Sequence, residues 1–305
     1  MAKSLIVVLG PTGIGKTEVA IKIGLELKTE IISADSRQIY RELRIGTAVP
    51  SAEQLNAVMH HFIGNKSVFD YYNASIYEFE VLELLEQLFV KKNQVVLVGG
   101  SGLYIDAVCK GIDDLPPVDH EIRNKLKEQY VREGIESLRL QLKYLDPEYY
   151  QTVDLKNPKR LIRALEISIS TGKPYSNLLR KKDKPRNFSI VKIGLNRERN
   201  ELYEQINQRV DFMIETGLVE EAEKFFHHRN LNSLNTVGYR ELFEYFEGEI
   251  SLEKAVELIK RNSRRYAKRQ LSWFARDKEI HWFHPEEREK ILLFIKEKMK
   301  NMSSK

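Results

Sequence analysis

An apolar run, Ser4-Leu-Ile-Val-Val-Leu9, leads directly into Gly10-Pro11-Thr12-Gly13-Ile14-Gly15-Lys16-Thr17, and a helical pattern opens at the Lys-Thr pair. Strand, glycine-rich turn and helix in that order are the setting that a phosphate-binding P-loop requires. The glycines let the backbone curl so that its N–H groups converge on phosphate oxygens at a helix N-terminus. Lys16 brings a point charge, and the Thr17 hydroxyl is placed to ligate Mg²⁺. The chain is therefore expected to grip a di- or triphosphate. Whether that phosphate is transferred, hydrolysed or released has to be decided by other residues.

With 305 residues the chain can build a large core and two domains, or one domain with an insertion. Charged residues make up 30%, and no apolar run approaches the roughly 20 residues that span a bilayer. The run from Met1 into the P-loop strand leaves no room for a cleavable signal. Cys109 is the single cysteine, which excludes an internal disulfide and a multi-cysteine zinc site. A cytoplasmic monomer is expected. Net charge is +5, and it is unevenly spread: residues 1–114 hold 11 Lys/Arg against 14 Asp/Glu, while the rest hold 38 against 30. A basic second half suits a polyanionic partner.

Up to about residue 110, apolar strands alternate with helical stretches: strands at 5–9, 30–34 and 94–98, helices at 17–27 and 77–90. Such alternation argues for an α/β fold, a P-loop NTPase-like parallel sheet flanked by helices. Gly111-Ile-Asp-Asp-Leu-Pro-Pro117 breaks the pattern. Residues 118–180 read as all-helical, with Asn157-Pro158 opening a helix that Gly172-Lys-Pro174 closes, and Arg180-Lys-Lys-Asp-Lys-Pro185 reads as a linker. Ser189–Leu195 looks like one more core strand. The domains expected are thus 1–114 with 186–305 as the P-loop core, and 115–185 as a helical insertion. From Glu198 onward the chain reads as helical to its end.

A P-loop NTPase normally carries an Asp at the end of a neighbouring strand to hold Mg²⁺ through water. Here strand 94–98 runs instead into Gly99-Gly-Ser101-Gly-Leu-Tyr104, a second glycine-rich turn that suits close approach by a phosphate or a planar base, or simply a tight turn before a helix. Asp35 follows strand 30–34 and opens the polar cluster Asp35-Ser36-Arg37-Gln38. Parallel strands open their carboxyl ends onto one crevice, so Asp35 can accept a proton from an acceptor lying beside the phosphates, or cap the next turn. His60-His61 lacks ligand spacing and reads as structural or substrate-lining. Residues 260–276 hold seven Lys/Arg and no acid; at about 100° per residue these fall on one half of a helix, with Ile259, Tyr266, Ala267, Trp273 and Phe274 on the other. Seven like charges repel unless a polyanion neutralises them. Lys159-Arg160 and Arg163 make a smaller basic patch.

Together these stretches resemble the bacterial tRNA dimethylallyltransferase (tRNA isopentenyltransferase) family. The matching segments are Gly10–Thr17, Asp35–Tyr40, Ile45-Gly-Thr-Ala48, His60-His61, Gly99–Tyr104, Asn157-Pro158 with Arg160–Glu166, Arg209-Val-Asp211, Gly238-Tyr239 with Glu241-Leu242, and Arg264–Leu271 with Trp273-Phe274. Ser101 stands where the family usually has Thr, and Val49 where it usually has Lys. The resemblance implies transfer of a dimethylallyl group from dimethylallyl diphosphate to N6 of the adenosine just 3′ of the tRNA anticodon (position 37), with release of diphosphate. Carried onto this chain, residues 10–17 and Arg209 would bind the diphosphate, with Mg²⁺ on Thr17. Asp35, Ser101 and Lys16 would be catalytic. Asp35, Ser36, Arg37, Gln38, Ser101, Arg123, Lys159, Arg160, Leu161, Ile162 and Arg163 would face the anticodon arm. The alternatives are a P-loop small-molecule kinase and a prenyltransferase acting on free adenine nucleotide.

Overall fold

The computed structural model describes residues 3–113, 115–117, 119–179 and 183–303, and these divide into two compact units, residues 1–110 with 185–305 and residues 111–184. Of the expected linker, Arg180 to Lys182 lie outside the described residues, as does Asp114 at the expected boundary.

The first unit opens with strand β1 (Ser4–Leu9), helix α1 (Lys16–Glu26), β2 (Ile31–Ser33), α2 (Ala52–Ala57), β3 (His60–His61), α3 (Ala74–Lys91), β4 (Gln94–Gly99) and α4 (Gly102–Lys110). All six residues of β1 are buried, as an unbroken apolar run in the middle of a parallel sheet requires, because helices cover both faces. In the second unit come α5 (His120–Glu133), α6 (Ile135–Leu145), α7 (Pro147–Thr152) and α8 (Pro158–Thr171). The chain then returns to the first unit with β5 (Ser189–Leu195), α9 (Arg199–Glu215), α10 (Leu218–Glu223), α11 (Tyr239–Phe246), α12 (Leu252–Phe274), β6 (His281–Phe283) and α13 (Arg288–Ser303).

The sheet is parallel throughout, in the order β3-β2-β4-β1-β5-β6. The register sets Leu5 between Val95 and Ile190, and Ile6 between Val96 and Val191. Ile6, Val8, Val96, Val98, Ile193 and Leu195 then project into one apolar cluster with Ile23, Ile206, Ile291 and Ile295 from the covering helices. Parallel strands aligned this way bring the loops after β1, β2 and β4 to one edge, and the site is built there. The last segment corrects the expectation of an all-helical C-terminus: His281–Phe283 adds a sixth strand beside β5. Its three residues include the exposed His281 and Trp282, too short and too wet to show alternation.

In the second unit Leu126, Leu138, Leu142, Leu161 and Leu165 form a separate core. Helix α8 starts where its sequence says, with Asn157 Oδ1 accepting from the Arg160 N–H at 3.3 Å and Pro158 in the first turn, and it ends on Gly172 at φ 67°. Two buried carboxylates tie the helices together. Asp146 accepts from the Tyr149 N–H (2.9 Å), the Ser176 N–H (2.7 Å) and the Ser176 hydroxyl (2.8 Å). Glu166, 1% exposed, accepts from the Asp119 N–H (3.2 Å), Arg123 Nε (2.7 Å) and Arg163 Nη1 (2.7 Å).

Candidate active site

The P-loop spans the end of β1 and the start of α1. Gly13 (φ 77°) and Gly15 (φ 91°) occupy left-handed backbone that a Cβ would strain, and Gly15 is the N-cap of α1. Residues Thr12 to Thr17 line a cleft of about 770 Å³, walled also by Asp35 to Gln38, Gly46 to Ser51, residues of α9 including Arg209, and residues of α12 including Tyr266, Arg269 and Gln270. Gly10 and Pro11 shape the turn behind that wall.

Lys16 donates to the Pro11 carbonyl at 2.7 Å and has no carboxylate partner among the described residues. Burial pushes its ammonium down to about 7; the nearby Arg209 guanidinium lowers it further, and Asp35 acts the other way. Arg209 is likewise held below its ordinary value by burial, with Asp35 again opposing. Two partly buried cations thus share one cleft with a carboxylate in electrostatic reach of both. An anion with more than one negative oxygen is the ligand that such a pair stabilises.

Of the two roles the sequence leaves open for Asp35, the cap is formed, and one carboxylate oxygen remains for the other. Its Oδ1 accepts from the Arg37 N–H at 2.8 Å and the Gln38 N–H at 3.3 Å, capping the turn, while Oδ2 makes no hydrogen bond among the described residues. Ser36 to Gln38 line the cleft, but two of the side chains are engaged inward. Arg37 donates to the carbonyls of Asn232 and Ser233, both at 3.0 Å, and Gln38 Nε2 to those of Thr47 and Ala48 at 3.1 and 3.0 Å. Ser101 sits behind the wall, where its Oγ accepts from the Ser36 N–H at 2.9 Å and donates to Ser36 Oγ at 3.2 Å. Of the two readings the sequence leaves for the turn that carries it, the packing favours the tight turn. Its glycines make room for neighbouring protein: a Cβ on Gly99 would stand 2.2 Å from the Ala34 carbonyl oxygen, and one on Gly102 2.5 Å from Trp273.

The rim loop at 44–46 is held by a residue the sequence reading missed. Glu221 of α10 accepts from the backbone N–H groups of Arg44, Ile45 and Gly46, each at 2.9 Å in its shortest contact, and from the Tyr239 hydroxyl at 2.6 Å. A second missed residue, Gln270, lies on the buried side of the cationic helix α12. Its Oε1 accepts from the Thr12 N–H and its Nε2 donates to the Gly100 carbonyl, both at 2.8 Å. Tyr266, one turn before it, lines the cleft; burial and then the charge of Asp35 push its phenol up to about 12.

The cationic face of α12 is less uniform than its spacing suggests, because α9 supplies partners. Lys260 pairs with Asp211 at 2.5 Å, and Arg264 donates to Asn207 Oδ1 at 2.6 Å. Arg276 lies over the Trp273 ring, whose Nε1 donates to Asp106 at 2.8 Å. Arg265, Lys268 and Arg269 stay exposed. In the second unit, of the residues read as facing a polyanion, Lys159 and Arg160 are exposed, Arg123 and Arg163 are paired with Glu166, and Leu161 and Ile162 are core. The last two are a correction: they sit on the apolar face of α8. His60 and His61 form the edge strand, with His61 Nε2 2.6 Å from Glu30 Oε2, and no metal-holding cluster of three or more His, Cys, Asp or Glu occurs among the described residues. No described helix is long and apolar enough to cross a membrane.

A family model described as IPP transferase matches residues 38–277. The tRNA dimethylallyltransferase 1 of Bacteroides fragilis (strain YCH46) is 55% identical, covering 98% of this chain and 99% of that one. That of Phocaeicola vulgatus (strain ATCC 8482) is 52% identical, with 97% and 98% covered. The crystal structure of full-length tRNA isopentenylpyrophosphate transferase from Bacillus halodurans matches at a TM-score of 0.73 and 35% identity, over 99% of this chain and 98% of that one. A P-loop on a parallel sheet, a strand-end Asp sharing a cleft with Lys16 and Arg209, and matches along nearly the whole sequence lead to one conclusion: this chain belongs to the tRNA dimethylallyltransferase (IPP transferase) family of prenyltransferases.

Proposed function

We propose that this chain transfers the dimethylallyl group of dimethylallyl diphosphate to N6 of the adenosine 3′ of the tRNA anticodon (position 37), releasing diphosphate. The observation that carries this reading is the pairing of Lys16 and Arg209, two partly buried cations without an ionic partner among the described residues, with Asp35 in the same cleft. As the allylic C–O bond breaks, charge collects on the diphosphate oxygens, and donors already aimed there raise the rate by about 10²–10³-fold each. Asp35 Oδ2 takes the proton leaving N6 as the new C–N bond forms, and its capping bonds to Arg37 and Gln38 fix its direction.

The donor set suits Mg²⁺. The Thr17 hydroxyl lines the cleft and makes no hydrogen bond among the described residues, and a cation that prefers oxygen ligands and keeps several waters needs little else beside diphosphate. Bound there, Mg²⁺ would neutralise charge on the leaving group. The missing strand-end Asp of NTPases fits a site that lets diphosphate leave intact, and it disfavours the kinase alternative. Exposed Arg265, Lys268 and Arg269 on α12, with Lys159 and Arg160 in the second unit, supply the charge for the anticodon arm. A nitrogen inside a stacked loop is reached by extruding the base, so the adenosine is flipped into the cleft. The enzyme works as a cytoplasmic monomer.

Incubation with radiolabelled dimethylallyl diphosphate, Mg²⁺, ATP and either bulk tRNA or AMP tests the reading. Label in tRNA is expected. Label in AMP alone would move the acceptor to a free nucleotide, and ATP consumption without label would return the chain to phosphoryl transfer.

A further inference from the structure

We infer that Gln270 is a positioning residue for group transfer, fixing the P-loop against the turn that carries Asp35. Gln270 is 6% exposed, on a helix whose neighbouring residues are largely cationic. A buried amide stays in place only if both of its ends are satisfied. Here one end accepts from the Thr12 N–H of the P-loop and the other donates to the Gly100 carbonyl after β4, both at 2.8 Å. The fit is close: a Cβ on Gly100 would stand 2.3 Å from the Gln270 nitrogen.

The path continues from Gly100 to Asp35. The next residue, Ser101, donates its N–H to the Ala34 carbonyl at 3.3 Å and accepts the Ser36 N–H on its hydroxyl at 2.9 Å, so it brackets Asp35 from both sides. One amide therefore completes a hydrogen-bonded route from the loop that grips diphosphate to the carboxylate that meets the acceptor nitrogen. The carbon and the nitrogen that must join are held by opposite ends of this route. A misplacement of 1 Å between reacting groups costs about 10²-fold in rate, which is the effect expected when the link is cut.

This inference rests on the cleft being a prenyl-transfer site, and the test separates the two. In full-length Gln270→Met, which keeps the volume and removes both bonds, kcat is expected to fall about 10²-fold while KM for tRNA stays within about threefold. A kcat within about threefold of wild type, whatever the melting temperature, would overturn the inference. Should Gln270→Met not fold, Gln270→Glu carries the same readout. Its carboxylate still accepts from Thr12 but regains a donor for Gly100 only when protonated, so its kcat relative to wild type is expected to rise as pH falls; a flat, near-wild-type ratio would overturn the inference. If wild type transfers no prenyl group, the functional reading fails on its own. Titration with inorganic pyrophosphate and Mg²⁺ then decides on Gln270: weakening by about tenfold or more in Gln270→Met supports it, and unchanged affinity sinks it.

Discussion

In the first unit Lys16 and Arg209 face an open cleft with no carboxylate bound to them among the described residues, whereas in the second Arg123 and Arg163 close onto a fully buried glutamate. The family resemblance implies contact with a polyanion for all four. The structure separates them by what balances their charge. Burial depresses the Lys16 ammonium, so an anion that enters the cleft gains by restoring its charge. Burial of the partner, as with Glu166, turns the same residue type into a fold-holding clamp.

The largest expected effect comes from removing the carboxylate that acts on both open cations. Asp35→Ala should lower kcat by about 10²–10⁴-fold with little change in tRNA affinity, measured by label transfer and filter binding; a large affinity loss with normal turnover would break the assignment. Arg209→Ala should cost about 10²–10³-fold in kcat/KM for dimethylallyl diphosphate, while Arg123→Ala leaves the donor's affinity unchanged. Equal losses from both would erase the contrast.

Glu166→Gln probes the clamp. It should destabilise the protein by about 2 kcal/mol in urea unfolding, less than the 3–5 kcal/mol of a fully buried pair because each arginine side chain is 28% exposed. Proton linkage sharpens the open site. Lys16 sits near 7 when folded against 10.5 ordinarily, so between those values the unfolded chain holds a proton that the folded one lacks. Unliganded stability therefore rises with pH across that window, the burial cost being fully present below it. Dimethylallyl diphosphate, fully ionised at about pH 8.5, should draw close to one proton back onto Lys16 as it binds. Calorimetry in buffers of different ionisation heat measures this, and no buffer dependence would refute it. The smallest effect belongs to the exposed pair of Arg288 with Glu18, 3.0 Å apart, where Arg288→Ala should change stability by about 0.5 kcal/mol or less.

Local signals were readable and tertiary ones were not. The P-loop, the capped helix α8 and the apolar runs of β1, β4 and β5 each carry their instruction within a few neighbouring residues. Strand β6 exists only because β5 offers it an edge. Gln270 looks like one more polar residue on a charged helix until the P-loop and β4 fold against it. Glu221 is one acid in an acidic turn of helix, and its three backbone partners lie far back in the sequence. The clamp in the second unit did leave a trace: Arg163 and Glu166 stand at helical pairing distance, a spacing that offered a carboxylate to the arginine before any polyanion was needed.

The neighbours of β1 also set an order of events during synthesis. β1 is the first strand made, and one of its two partners in the sheet, β5, is encoded only after the whole 111–184 segment. On the ribosome, the central strand of the sheet therefore waits half-paired while the helical segment, with an apolar cluster of its own, has time to collapse. By shortening the effective span of disordered chain, that early collapse lowers the entropic cost of bringing Ser189 back beside Ser4.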